Sequence, residues 1–175
     1  MKLRDIIGEL KTMYNPKMAE DWDNVGLLIG DEDKEIKKIL FCLDVTENAV
    51  EKALKSGVNL IISHHPVIFS GMKRINNETL HARKVLRLIE NKIAVYSIHT
   101  NADFSVNGLN DFVMEKLDLD GETKILNEVS FEDYNEIKDC LEQHHGGTVR
   151  IKILNEGITL ENLVKKLNIN WDCRM

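Results

Sequence analysis

Apolar positions recur at helical spacing over residues 2–14, at Leu3, Ile6, Ile7, Leu10 and Met13. This predicts an amphipathic helix that Pro16 ends. The pattern then breaks. Asp21-Trp22-Asp23-Asn24 mixes turn residues with an indole, and Gly26 to Ile29 reads as a short strand entered from that loop. Residues 37–43, Lys-Lys-Ile-Leu-Phe-Cys-Leu, form the next strand-like run and stop at Asp44. Thr46 has the chemistry of an N-cap for a helix with Ala49, Val50, Ala53 and Leu54 on one face. Gly57 suits a left-handed stop. Val58 to Ile62 predicts a third strand. Residues 78–91 predict a helix with Leu80, Val85, Leu88 and Ile89 inward. Ile93 to Ile98 predicts a strand, and Asn107 to Leu117 a helix.

Strand and helix therefore alternate through the first two-thirds of the chain. That order predicts an α/β fold, a mostly parallel sheet with crossover helices. Asp44, His64, His65 and His99 fall at the C-terminal ends of successive strands, where open α/β sheets form their ligand crevice. The last third is less regular. Residues 131–145 read as a helix stopped by Gly146-Gly147. Thr148 to Leu154 reads as a strand, Thr159 as the cap of a short helix through Leu167, and residues 168–175 as the start of a further segment. The expected division is a main lobe over 1–120 and a partial tail lobe over 121–175, with the boundary in 118–130.

Composition narrows the function classes. The chain has 175 residues, 43% hydrophobic and 30% charged, enough for one domain with a real core or for two small lobes. No stretch approaches the roughly 18 apolar residues of a membrane helix, and the charged start Met1-Lys2-Leu3-Arg4-Asp5 does not resemble a signal peptide. Three cysteines, Cys42, Cys140 and Cys173, are an odd set without paired spacing, which fits a reducing cytoplasm. The net charge of −6 argues against nucleic-acid binding through phosphates. Met72-Lys73-Arg74 is the basic cluster of note, and Arg83, Lys84 and Arg87 read as the solvated face of a helix.

The candidate chemistry lies in two histidine-bearing segments. His64-His65 is followed by Pro66, which biases His65 to extended geometry. Adjacent side chains on an extended chain point to opposite sides, so the two imidazoles suit one ion each of a close pair; alternatively they only close the strand end. His99 and Asp103 are four residues apart and can face one cavity. Asp103 is a hard oxygen ligand or the N-cap of the downstream helix, with Ser105 as the rival cap. His99 is a ligand, a proton carrier or a buried, backbone-bonded histidine. Asp44 either orients a ligating histidine or merely turns the chain before Thr46. His144-His145 fits a polar helix end, and His81 fits plain surface. There is no phosphate loop of the glycine-lysine type and no nucleophile elbow.

Trp22-Asp23-Asn24-Val25-Gly26-Leu27, Leu43-Asp44-Val45-Thr46, Ile62-Ser63-His64-His65-Pro66, His99-Thr100-Asn101-Ala102-Asp103 and Gly108-Leu109-Asn110 occur in that order. Together they resemble the Nif-type dinuclear-metal proteins, the GTP cyclohydrolase 1 type 2 homologs, over about residues 1–120. The resemblance implies a fold of two related lobes, a ring-shaped homohexamer, and two divalent ions in a pocket facing the ring cavity. By motif, His64, His65 and Asp103 would be metal ligands and His99 a nearby proton acceptor. It also implies a further histidine and a bridging glutamate from a second lobe; nothing after Asp103 matches them. Residues 157–167 resemble the helix that precedes that lobe, so the chain is expected to be cut short. Imidazole and carboxylate suit zinc, iron or manganese. Each ion wants about four to six ligands, so weak metal retention is expected. The expected activity is metal-assisted hydrolysis of a small molecule of the nucleotide class. The rival reading is a non-catalytic, metal-binding, oligomeric interaction protein.

Overall fold

The structure, a computed structural model, describes residues 1–170. Of the segment expected from residue 168 onward, Trp171 to Met175 lie outside the described residues. The elements up to residue 117 are α1 (Leu3–Met13), a 3-10 turn (Pro16–Met18), β1 (Gly26–Ile29), β2 (Ile39–Cys42), α2 (Glu47–Lys55), β3 (Leu60–Ser63), α3 (Leu80–Glu90), β4 (Ala94–Ser97), α4 (Thr100–Phe104) and α5 (Leu109–Leu117). The sheet order is β1-β4-β3-β2. β2, β3 and β4 are parallel, while β1 runs antiparallel to β4. A mostly parallel sheet with crossover helices is thus the fold.

β3 and β4 are buried along their whole length, which explains their unbroken apolar runs. Their side chains divide between two cores. Ile61 and Val95 meet Val50 and Ala53 of α2 and Val85 and Leu88 of α3 on one face. Leu60, Ile62, Ala94 and Tyr96 meet Leu3, Ile7 and Leu10 of α1 on the other. The caps act as the sequence suggests: Thr46 Oγ1 accepts from Ala49 N–H at 3.1 Å, and Gly57 takes φ +66°. The inward face of α3 is narrower than predicted. Leu80 and Ile89 are exposed and Ala82, Val85 and Leu88 are buried, because Leu80 opens the helix and Ile89 sits in its last turn, and the middle turns meet the sheet.

The expected helix over 131–145 is absent. β5 (Gly121–Asn135) and β6 (Cys140–Leu154) form one long antiparallel hairpin, and α6 (Leu160–Asn170) follows. Residues 131–145 contain good helix formers, but a local turn overrides propensity. Asn135 Oδ1 accepts from the N–H groups of Ile137 and Lys138, both at 3.2 Å. Asp139 takes φ +57°, and its N–H donates to Asn135 O at 2.7 Å. Gly146 and Gly147 are accordingly mid-strand rather than a helix stop. Gly146 is small because the strand crosses the end of α4 there: a Cβ would lie 2.1 Å from Phe104 O. Val106 N–H donates to His145 O at 3.0 Å.

Arg150 locks this crossing. Its side chain is fully buried and pairs with Asp111. It also donates to Gly147 O at 2.9 Å, Phe104 O at 3.3 Å and Ser105 O at 3.2 Å. Burial alone would raise the Asp111 pKa, but the hydrogen bonds from Arg150 and from Asn107 N–H, with the Arg150 charge, hold it below the ordinary 3.8. Asp111→Ala leaves a buried guanidinium without its counter-charge and is expected to cost about 3 kcal/mol in urea denaturation. A depressed carboxyl pKa contributes stability above the unfolded value and loses it as pH falls through the native value. The wild-type advantage should therefore be full at neutral pH and shrink below the ordinary 3.8; an advantage that persists unchanged in acid would contradict the pairing.

Candidate metal centre

The parallel ladder continues one step past each strand end. His64 N–H donates to Cys42 O at 3.1 Å and His65 N–H to Leu43 O at 2.9 Å. Ser97 Oγ donates to His64 O at 2.9 Å and Ser63 Oγ to His65 O at 2.9 Å. β4 leads into His99, the N-cap residue of α4. These backbone constraints bring three imidazoles together. Ring centroids are 5.0 Å apart for His64 and His65, 5.1 Å for His64 and His99, and 5.5 Å for His65 and His99. One ring nitrogen from each lies within 4.8 Å of the others. The expectation that His64 and His65 point to opposite sides is therefore corrected. Strand alternation does not carry past Ser63, where β3 ends and the chain bends.

Asp103 projects from α4 one turn after His99. Its Oδ1 lies 3.8 Å from His64 Nε2, and that oxygen is buried without a hydrogen-bond partner among the described residues. Asp103 caps nothing. His99 is the N-cap of α4 and Gly108 that of α5, and the Ser105 hydroxyl donates to Asn101 O at 2.7 Å. Burial pushes the Asp103 carboxyl up, against the pull of the neighbouring histidines. Burial likewise pushes the His64 pKa down, against the pull of Asp103. A buried carboxylate oxygen with no donor is costly, and a cation would satisfy it. The residues present fit a metal: three convergent imidazoles and one orphaned carboxylate.

Two carboxylates stand behind the imidazoles. Asp44 Oδ1 lies 2.7 Å from His65 Nδ1, and Asp23 Oδ1 lies 2.9 Å from His99 Nδ1. Asp44 thus backs the His65 ring, and its carbonyl also accepts from Thr46 N–H at 2.9 Å at the turn before α2. Sequence reasoning gave Asp23 no role beyond its place in a motif, yet its side chain is fully buried. It accepts from Asn24 N–H at 2.7 Å, Thr100 N–H at 3.1 Å and the Thr100 hydroxyl at 2.5 Å. Burial raises its pKa, and these donors together bring it below the ordinary value. An ionised Asp23 fixes the proton on His99 Nδ1 and leaves Nε2 as a lone-pair donor, the usual device for orienting metal-binding histidines.

The other histidines stay apart from this cluster. His144 is buried on β6, its Nε2 accepting from Asn15 Nδ2 at 3.0 Å. His145 pairs with Glu128, and His81 is exposed on α3.

Comparison with known proteins gives the lineage. A model of the family described as Duf34/NIF3 (NGG1p interacting factor 3) matches residues 1–174. Over 117 residues the chain is 44% identical to a Clostridium perfringens protein named GTP cyclohydrolase 1 type 2 homolog, covering 67% of this chain and 45% of that one. A Staphylococcus aureus protein of the same name is 35% identical over 163 residues, covering 92% and 43%. The chain thus spans less than half the length of these curated relatives. The crystal structure of a Bacillus cereus protein related to NIF3 superposes with a TM-score of 0.81 at 22% identity, covering 100% of this chain and 71% of that one. At that identity the likeness speaks for the fold.

Asp23→Ala removes the acceptor of four donors and strands the Thr100 N–H and hydroxyl. It is expected to cost about 2 kcal/mol in chemical denaturation. Nitrogen-15 shifts of His99 should show the Nδ1–H tautomer in the wild type and lose that preference in the variant. An unaltered tautomer would refute the orienting role.

Proposed function

This chain belongs to the DUF34/NIF3 family, and on that premise we propose that His64, His65 and Asp103 hold a pair of divalent ions, zinc, iron or manganese, at which a small molecule is hydrolysed. The observation that carries the reading is the cluster of three imidazoles, one of which, His64, lies 3.8 Å from a buried Asp103 oxygen that has no hydrogen-bond partner among the described residues. Bound divalent ions would act as Lewis acids and supply a nucleophile near neutral pH. The chain's own residues do the rest. His64 and His65 bring ring nitrogens within 4.8 Å of each other, and Asp44 and Asp23 orient the rings of His65 and His99 from behind. His99, with Nδ1–H committed to Asp23, takes up at Nε2 the proton released in hydrolysis.

The substrate class follows from the name that the curated relatives carry, GTP cyclohydrolase 1 type 2 homolog: a nucleotide-like small molecule with a hydrolysable C–N centre. The protein is proposed to work in the cytoplasm as a homohexamer, its partners being copies of itself. Among the described residues no helix is long and apolar enough to cross a membrane. Three donor side chains shared between two ions leave most coordination positions to water or other groups, so retention is modest. That same shortage favours a second reading, a metal-binding oligomeric protein without catalysis.

Metal analysis after dialysis against manganese or zinc separates the roles. His64→Ala and His65→Ala should each lower bound metal at least about tenfold and abolish metal-dependent turnover of GTP. His99→Ala should keep most of the metal and lose turnover. Equal metal loss in His99→Ala would make it a ligand instead. Metal-responsive assembly without any turnover would establish the non-catalytic reading.

A further inference from the structure

Two large aromatic side chains stand outside the core beside the histidine cluster. Trp22 is 59% exposed and Phe69 51% exposed. Their ring centroids are 6.0 Å apart with planes inclined at 51°. The indole meets the His99 ring edge-on, at 6.2 Å and 75°. Trp22 precedes β1 and Phe69 follows β3, each on a connecting segment rather than on a helix or strand.

These segments are pinned. Asp23, the neighbour of Trp22, is the buried carboxylate that binds His99 and Thr100. Asn24 Nδ2 donates to Ile68 O at 2.5 Å, and Ile68 immediately precedes Phe69. The Asn24 side chain thus ties the loop that carries Trp22 to the backbone beside Phe69, and Asp23 ties the same loop to His99 and to α4. Aromatic rings of this size normally dominate core packing. Here they are held in place yet left in water. A rigid aromatic surface next to a cluster of polar groups is how small-molecule sites combine affinity with orientation.

We propose that Trp22, backed by Phe69, is the platform on which a planar conjugated ring of the substrate stacks beside the histidine cluster. The proposal rests on the metal-centre reading above and names the substrate class: a compound whose reacting group is part of, or attached to, a flat heterocycle. Trp22 touches the ring and not the reacting atoms, so it is a specificity-determining residue. Stacking selects for a π-face rather than for one hydrogen-bonding edge, so the platform sorts planar from non-planar ligands and leaves finer discrimination to other groups.

The chain has two tryptophans, so Trp171→Phe leaves Trp22 as the sole indole reporter. The probes are GMP and ribose 5-phosphate, which differ by the purine ring. GMP should quench Trp22 fluorescence saturably and ribose 5-phosphate should not. By calorimetry, Trp22→Ala should bind GMP about tenfold more weakly, and Trp22→Phe within about threefold of the parent. Ribose 5-phosphate affinity and bound manganese should be the same in all three. No quenching by GMP, equal GMP affinity in Trp22→Ala, or equal loss of both probes would overturn the proposal. So would a changed oligomeric mass in light scattering with GMP affinity intact, which would assign the aromatic surface to a second copy. Failure of the wild type to bind manganese, with the Trp22 effect on GMP preserved, would remove the metal reading and leave the platform standing.

Discussion

The parallel register of β3 and β4 is the constraint from which the site follows. Ser63 sits opposite Ser97, so both strands end at one level, with His64 one residue and His99 two residues beyond it. Both serines are fully buried. Small hydroxyl side chains let the strands lie close and turn outward carbonyls into acceptors: Ile98 N–H reaches Ser63 O at 2.9 Å, and Ser97 Oγ reaches His64 O. A slip of one residue would reverse every side chain of the slipped strand and send its apolar set away from its core. The two-sided burial of Leu60, Ile61, Ile62 and Ala94, Val95, Tyr96 makes that slip costly. The apolar cores therefore hold the polar cluster at the sheet edge in place.

Charge in the cluster is arranged in two tiers. Asp23 and Asp44 sit behind the rings, within hydrogen-bond distance of the Nδ1 atoms of His99 and His65. Asp103 faces the rings, its Oδ1 without a hydrogen-bond partner among the described residues. Carboxylates behind an imidazole fix its tautomer and orientation, while one in front is placed to accept a cation's charge. The contrast between a fully satisfied Asp23 and an orphaned Asp103 sets the two carboxylates apart more sharply than residue type does.

Most of the four-stranded sheet and its helices was legible because the signals are local. Strict apolar runs gave β3 and β4, Thr46 and Gly57 bracketed α2, and strand ends marked His64, His65 and His99. Three features were not legible. The convergence of His64 and His65 depends on a bend after Ser63 that has no sequence period. The role of Asp23 depends on Thr100, 77 residues away. The hairpin replaced a predicted helix because residues 131–145 favour a helix one by one. Pairing with a strand across the Asn135 turn, and docking through Gly146 and Arg150, are long-range gains that local propensity does not report.

The tail hairpin matters to the cluster through α4. A helix of five residues cannot hold itself together in water, since a single turn costs more to nucleate than it returns. It is pinned at both ends. At its start the Thr100 N–H and hydroxyl are held by Asp23. At its finish the carbonyls of Phe104 and Ser105 accept from Arg150, a cation at a helix C-terminus where the dipole favours one. Asp103 lies between these two pins. The position of the carboxylate that faces the imidazoles is therefore set by a loop before β1 and by a guanidinium from β6. Neither contact touches the cluster from the front, and both are as necessary to its shape as the histidines themselves.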